Sequence, residues 1–159
     1  MIREILVDVA KFQPNSLRTY KNAGAKSAIV QVSVAKSIVA PKAKAQVKSA
    51  KANGLVPMGY FYACFGNSVS EAEAESRFAV SQAEAAGIPA GSFLGVDWES
   101  QDNNTSNGSR SNTNAILAAM DVIKKAGYKP LLYSSASLMR TKIDTARVTD
   151  KYGTCLWVA

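Results

Sequence analysis

The sequence predicts an α/β fold in which helices cover a parallel sheet. Two observations predict it: strand-like apolar runs recur along the 159 residues, and helical patterns fill the gaps between them. The apolar runs are nearly continuous, which indicates strands buried on both faces. A doubly wound sheet and a barrel both fit this alternation. The predicted strands are 4–10, 26–34, 54–63, 91–99, 129–135 and 154–159.

Helix signals occupy every gap between these strands except the last, 136–153. The first helical pattern follows Asn15 and the second begins at Pro41, a residue suited to a helix start. In the third, Ser70 is expected to cap the helix and Glu73 to occupy its third position. All four patterns end at a glycine, as helices commonly do: Gly24, Gly54, Gly87 and Gly127. The last turn of the fourth carries Lys124 and Lys125, which suit the helix dipole.

The composition predicts a single soluble domain over residues 1–159. Hydrophobic residues make up 47% of the chain, enough for a substantial core. The apolar runs SAIVQVSV and LVPMGYFYACF are much shorter than the roughly 20 residues that span a bilayer. The start, MIREILVDVA, lacks the basic and long apolar segments of a signal peptide. We therefore expect no membrane span and synthesis in the cytosol.

The residue types restrict the chemistry. The chain has no histidine, which excludes Ser/His/Asp and Cys/His catalysis and the commonest transition-metal ligand. Cys64 and Cys155 are not in metal-binding spacing, so free buried thiols are expected. The net charge of +7 favours anionic partners. However, many lysines alternate with alanines in 41–54, which indicates a solvated helix face rather than a nucleic-acid surface.

Asp97 and Glu99 stand at the end of the fourth predicted strand, in the run FLGVDWES. Residues two apart on a strand share a face, so the two carboxyls are expected side by side and Trp98 on the other face. Adjacent acids raise each other's pKa, and the one in the less polar setting can act as a general acid near neutral pH. A pair of this kind suits glycoside hydrolysis. From the acids alone, capping of the next loop or metal binding is equally plausible.

Other polar and aromatic side chains fall near the same strand ends. Asp8 supplies a third carboxylate if the sheet curls, and Ser134 ends the fifth strand. The long polar segment 100–114 is a candidate binding rim, with a plain surface loop as the alternative. Aromatic rings that could stack on sugars, or simply pack in the core, are Tyr60, Tyr62, Tyr133 and Trp157.

Several segments together resemble family 25 glycoside hydrolases, the muramidases common among phage and prophage endolysins. They run in order along the whole chain: DVAKFQPN, YFYACFGNSVSEAEAE, FLGVDWES, AILAAMDVIKKAGYKPLLYSS and KYGTCLWVA. The likeness is strongest to lactobacillus-type phage endolysins. It implies a barrel related to the TIM fold, cleavage of the β-1,4 bond between N-acetylmuramic acid and N-acetylglucosamine, no metal or organic cofactor, and release of the enzyme to the cell wall.

By the same resemblance, Glu99 matches the general acid, Asp97 the carboxylate that assists it, and Asp8 the acid of the first strand. Tyr62 and Tyr133 match positions that line the sugar groove, and Gln13 matches a glutamine found after the first strand. Tyr60 and Trp157 are further candidates for substrate binding. The implied partner is bacterial peptidoglycan, with anionic wall polymers attracted by the positive charge.

Three departures from the family pattern modify these expectations. The family barrel has eight strands and usually takes an aspartate from the last, whereas this chain has about six. Residues 31–35 replace the usual Lys-Ala-Thr-Glu-Gly, and Phe61 replaces the histidine of Tyr-His-Tyr. We therefore expect an incomplete catalytic domain, either truncated at the C-terminus or degenerate, whose open sheet edges are covered by exchange with another copy or by rearranged loops. The alternative to the enzyme is a module that binds peptidoglycan without cleaving it.

Overall fold

A computed structural model describes residues 4–100 and 106–159. It contains every predicted strand and all four predicted helices. The elements, in chain order, are β1 Ile5–Val9, α1 Arg18–Asn22, β2 Ala25–Val34, β3 Ile38–Val39, α2 Ala43–Ala52, β4 Val56–Tyr62, α3 Val69–Ala86, β5 Phe93–Asp97, α4 Ser109–Lys125, β6 Lys129–Ser134, α5 Ala136–Thr141, α6 Thr145–Tyr152 and β7 Leu156–Val158.

The sheet is parallel except for the short β3, which pairs antiparallel with the end of β2. Its strands lie in the order β1-β2-β4-β5-β6-β7, which is also their order in the chain. A doubly wound sheet reverses strand order at a switch point, and this sheet does not. The barrel alternative is therefore the correct one. β1 and β7 end the order, and in the described part of the chain neither pairs with a further strand, so the barrel is incomplete.

The two faces of the sheet are packed differently. Side chains alternate between them, so one set points to the helices and the other into the half-barrel. Those facing the helices belong to the main core and are fully buried: Val30, Val32, Phe61, Leu94, Val96 and Leu132. The concave side holds an open apolar hollow of about 330 Å³, lined by Leu6, Ile29, Met58, Phe93, Leu131, Leu156, Trp157 and Val158.

Two sequence predictions about helices are wrong. The last gap is not free of helix, because α5 and α6 fill it. Both are short, and only a few apolar side chains in this stretch are buried, among them Leu138, Met139 and Val148. Their apolar pattern is therefore too sparse to reveal a helix. Helix α3 also begins earlier than expected, because Ser68 rather than Ser70 accepts the cap hydrogen bond.

The structure also bears on three further predictions, which concern the two cysteines, a membrane span and the polar segment 100–114. Neither Cys64 nor Cys155 forms a disulfide, and Cys155 is buried as predicted, whereas Cys64 is only partly buried, contrary to the prediction. Across the described residues, no helix has the length and apolar character needed to cross a bilayer. Part of the predicted polar rim, 101–105, lies outside the described residues. The rest is shorter than expected, since residues from Ser109 onward belong to α4.

Candidate active site

The carboxyl ends of four neighbouring strands bring the predicted site residues into one row. In the sheet register Tyr62 of β4 is opposite Asp97 of β5, Asp97 is opposite Tyr133 of β6, and Tyr133 is opposite Trp157 of β7. Because parallel strands end on the same side of a sheet, residues far apart in sequence meet here. This is the end of a β/α barrel at which such folds bind their ligands.

The two acids of the DxE run stand together, as predicted. Asp97 is the last residue of β5 and is only 7% exposed, whereas Glu99 lies just beyond the strand and is half-buried. Their carboxyl groups share a hydrogen bond. Trp98 points the other way into the core, where its indole N–H donates to the carbonyl of Gly66 at 3.1 Å.

Hydrogen bonds hold this segment where β5 ends. The Asp97 carbonyl accepts the N–H of Ala63 at 2.9 Å, and the Trp98 N–H donates to the Tyr133 carbonyl at 3.0 Å. The Ser134 hydroxyl donates to the Trp98 carbonyl at 2.7 Å. Ser134 is fully buried, so it supports the acid pair from beneath and does not lie on the rim. Both neighbouring strands therefore fix the backbone that carries Asp97 and Glu99.

Asp8 joins the pair from the first strand. Electrostatic interactions connect Asp8 to Glu99 and to Asp97, so the three carboxyls form one cluster. Asp8 is hydrogen-bonded to Tyr60, which is only 6% exposed. Desolvation raises the pKa of Asp8, the Tyr60 hydrogen bond lowers it, and the charge of Glu99 raises it again. Burial and the nearby Asp8 raise the pKa of Tyr60 well above its usual range, so it stays a neutral donor.

Asp97 has the less polar setting of the pair. Burial, then the charge of Glu99, their hydrogen bond and the charge of Asp8 raise the pKa of Asp97 to about 8. Its Oδ1 is buried and makes no hydrogen bond within the described residues. A carboxyl group whose pKa is raised to about 8 holds a proton near neutral pH. It rests on Asp97, whereas the more exposed Glu99 has access to solvent.

An open groove of about 530 Å³ adjoins the acid cluster through Asp8, whereas Asp97 and Glu99 do not line it. Asp8, Tyr60 and Tyr62 line it next to the cluster, and β3 with the turn after β1 forms its far wall. Gln13 lies on that wall, where its Oε1 accepts the Ala10 N–H at 2.7 Å and so shapes the turn. The predicted residues from the first and third predicted strands thus share one surface.

The groove also includes residues that the sequence analysis did not select. Phe12 is 82% exposed and presents its ring at the groove wall. Gln31 lines the floor, so the altered segment after β2 still offers a polar side chain. An apolar ring next to the selected Gln13 was a usable signal for Phe12. Gln31 had no such signal, because its direction depends on the strand register.

Tyr133 and Trp157 lie on the opposite side of the acids from this groove. Their rings meet edge to face with centroids 4.6 Å apart, and Trp157 is 6.3 Å from Tyr60. Trp157 also lines the apolar hollow of the half-barrel. Among the described residues, no group of His, Cys, Asp and Glu side chains is arranged to hold a metal ion.

Comparisons with known proteins agree with this geometry. The sequence model of Glycosyl hydrolases family 25 matches residues 7–159. A lysozyme of Lactococcus phage mv1 is 44% identical over 154 residues, which are 96% of this chain and 76% of that protein. A D-alanyl-L-alanine endopeptidase of Streptococcus phage B30 is 30% identical over 158 residues, or 98% of this chain and 33% of that protein.

The fold is also found among solved structures. The modular Cpl-1 endolysin, crystallised with a peptidoglycan analogue, matches with a TM-score of 0.82 at 26% identity. The match covers 96% of this chain and 42% of the endolysin. A muramidase from Acremonium alcalophilum has the same fold, with a TM-score of 0.79 at 15% identity over 98% of this chain and 76% of that protein.

Together, the curled parallel sheet and these relatives define a glycoside hydrolase of the lysozyme class. Because the family model matches nearly the whole chain, the assignment is more specific: the chain belongs to glycosyl hydrolase family 25. The predicted resemblance is confirmed. The chain spans most of the mv1 lysozyme but less than half of the B30 and Cpl-1 proteins.

Proposed function

We propose that this chain is a muramidase that cleaves the β-1,4 bond between N-acetylmuramic acid and N-acetylglucosamine in bacterial peptidoglycan. The observation that carries the proposal is the hydrogen-bonded pair Asp97 and Glu99 beside a groove, in a chain of family 25. A relative of the same fold was crystallised with a peptidoglycan analogue, which supports this substrate. Residues 1–159 are then the catalytic domain, or most of it.

In the proposed reaction, Glu99 delivers the proton of the pair to the glycosidic oxygen. The proton that rests on Asp97 reaches Glu99 along their hydrogen bond, and Glu99 is the more exposed of the two. The bond between the sugar carbon and that oxygen breaks, with its electron pair remaining on the oxygen. The pair thereby gains a negative charge as the sugar ring becomes positive. Asp97, Glu99 and nearby Asp8 stabilise that positive charge. A water molecule then adds to the sugar carbon and one of its protons returns to the pair, which completes the hydrolysis.

Sugar binding is assigned to the groove and its aromatic rim. Tyr62 and Phe12 offer ring faces along the groove, and Gln13 and Gln31 offer amide groups. Tyr133 and Trp157 provide a second aromatic surface beyond the acids. A polysaccharide chain that crosses the cluster from one surface to the other would place one glycosidic bond at Glu99.

The setting of the reaction is the cell wall, where endolysins of this family act. We assign cytosolic synthesis and release to the wall, and an attraction of the +7 chain to anionic wall polymers. β1 and β7 have no outer partner strand in the described part of the chain, and their outer edges are the places where a second copy can pair. Light scattering that finds a monomer with cooperative melting would contradict that self-association.

The central test is the variant Glu99→Gln, which keeps the shape of the side chain and removes its proton chemistry. Loss of a general acid lowers turnover by about 100-fold to 10,000-fold. Release of muramic acid reducing ends from Gram-positive walls should fall by that factor, while wall binding in a pull-down persists. Glu84→Gln is the matched control, because Glu84 lies exposed on α3 away from the groove.

The same assay separates the enzyme from the alternative, a wall-binding module. If the unmodified chain binds walls but releases no reducing ends, the muramidase proposal is wrong and the binding module is correct. If turnover survives Glu99→Gln unchanged, the assignment of the proton to this pair is wrong.

A further inference from the structure

Lysines gather at the end of the fold opposite the acids. In a β/α barrel, all strands begin and all helices end on one face, here called the base. The last turns of α1, α2, α4 and α6 and the starts of β2 and β6 place lysines there: Lys21, Lys51, Lys124, Lys125, Lys151, Lys26 and Lys129. Acids at the base are Glu4, Glu84, Asp121 and Asp150. The positive charge is thus concentrated away from the Asp8, Asp97 and Glu99 cluster.

Part of the base is a defined groove of about 450 Å³ between the start of β6 and the ends of α4 and α6. Lys124, Lys129 and Lys151 line it. Its one lining acid, Asp121, is bound by the Lys151 ammonium at 2.6 Å and by the Tyr152 hydroxyl. Lys151 and Asp121 therefore neutralise each other. Within residues 4–100 and 106–159, neither Lys124 nor Lys129 has an ion-pair partner, and both are exposed to an incoming anion.

The helix dipole accounts for only some of these lysines. It favours cations in the last turn of a helix, which explains Lys124. It does not explain Lys129, which is the first residue of a strand and faces the same groove. A helix end and a strand start thus present two lysines to one concave surface, which is the arrangement that an anion site needs.

The aromatic rings of the groove argue against nucleic acid as the occupant. Proteins that hold single strands stack bases on open ring faces. Here Lys129 lies over the Phe93 ring at 5.7 Å from its centre, and Lys151 lies over the Tyr152 ring at 5.5 Å. One face of each ring is therefore occupied by an ammonium group. The groove offers ammonium groups as point charges, which suit a flexible polymer of phosphodiesters without bases.

We propose that the base groove binds the phosphodiester-linked anionic polymers of the Gram-positive wall while the opposite end holds the glycan. This rests on the proposed function, since it assumes that the enzyme works within such a wall. Binding at the base leaves the catalytic groove open, because the two lie at opposite ends of the strands. The polymer then retains the enzyme near its substrate without competing for the acids.

The test compares two variants of equal net charge. Lys124→Gln with Lys129→Gln removes the groove charges, and Lys44→Gln with Lys48→Gln removes two exposed lysines from the side of α2. The probe is soluble poly(glycerol phosphate), titrated at several salt concentrations. The groove variant should bind about 10-fold more weakly. The slope of the logarithm of its binding constant against the logarithm of salt concentration should be smaller by about one to two. The α2 variant should bind like the unmodified chain.

Two results would overturn the proposal. Equal weakening in both variants means that net charge alone attracts the polymer. Single-stranded DNA that binds the groove as tightly as the polymer means a general polyanion surface. Turnover on peptidoglycan stripped of phosphodiester polymers is measured in parallel and should be the same in both variants. That measurement keeps a failure at the base distinct from a failure of the muramidase proposal.

Discussion

Asp97 shares a hydrogen bond with Glu99 although only Asp97 belongs to strand β5. The strand end buries Asp97 and leaves Glu99 half-exposed, so two acids with the same chemistry have unequal settings. Burial holds the proton on Asp97, and in the proposed reaction the hydrogen bond makes it available to Glu99. The two settings differ because Glu99 lies two positions after Asp97, beyond the end of the buried strand.

The first prediction concerns stability against pH. The pKa of Asp97 is raised from its ordinary 3.8 to about 8 in the folded chain. Between these values the folded state holds a proton that the unfolded state has released, so the free energy of unfolding falls as pH rises. Asp97→Asn carries no charge at any pH. Its melting temperature should exceed that of the unmodified chain increasingly from pH 5 to pH 9, at about 2–4 °C per kcal/mol.

Circular dichroism melts at each pH measure this difference. Asp150→Asn is the control, since Asp150 is exposed on α6, and its curve should run parallel to that of the unmodified chain. Parallel curves for Asp97→Asn as well would show that Asp97 is charged in the folded state at neutral pH, contrary to its burial.

The second prediction concerns Tyr60→Phe. The Tyr60 hydroxyl lowers the pKa of Asp8 against the effect of burial, so its removal should raise that pKa. If ionised Asp8 stabilises the positive transition state, the acid limb of kcat/KM against pH moves to higher pH. Turnover at pH 5 should fall by roughly 10-fold, of the order of one charge-assisted hydrogen bond. Tyr20→Phe, on α1, is the control and should leave the pH profile unchanged.

Much of the fold was predictable because its signals are local. Strands buried on both faces give apolar runs, and the glycines after α3 and α4 mark helix ends, so the parallel α/β arrangement follows from the sequence. The strand order that excludes a doubly wound sheet involves distant pairings and was not predictable. Short helices such as α5 and α6 bury too few side chains to leave a periodic pattern.

The acids of the site were predictable from the sequence, whereas the residues that hold them in place were less so. The spacing of Asp97 and Glu99 determines that they share a face. The same spacing of two residues recurs among the glutamates of helix α3, Glu71, Glu73 and Glu75. Only Glu75 is buried, at 3% exposed. The helix rotation that decides this depends on packing against the sheet. Ser134 was likewise predicted to lie near the site at the end of its strand, but its side chain is buried and its hydroxyl donates to the Trp98 carbonyl.

The third prediction concerns the indole N–H of Trp98. Trp98→Phe keeps an aromatic ring but loses the hydrogen bond to Gly66, which ties the acid pair to the loop after β4. We expect kcat to fall by roughly 10-fold, since small displacements of catalytic groups are expensive. Tyr128→Phe is the matched control, because its hydroxyl also makes a buried 3.1 Å bond, to the Ile88 carbonyl. It should lower stability by about 1 kcal/mol and leave kcat unchanged. Unchanged kcat in Trp98→Phe would mean that the loop does not position the acids.

The last prediction concerns Glu75, a buried acid of α3 whose Oε2 accepts the Cys64 N–H at 2.9 Å. Cys64 follows Tyr62 closely, so this bond fixes the chain beside the groove. Glu75→Ala leaves a partly buried N–H without this acceptor and should reduce the free energy of unfolding by about 3 kcal/mol. Glu75→Gln retains a carbonyl acceptor and should lose only about 1 kcal/mol. Urea denaturation measures both.

Glu73→Ala is the control, because the exposed Glu73 pairs with Arg77 at 3.4 Å and such surface pairs contribute about 0.5 kcal/mol. A loss in Glu75→Ala no larger than in this control would mean that the loop keeps its position without the buried carboxylate.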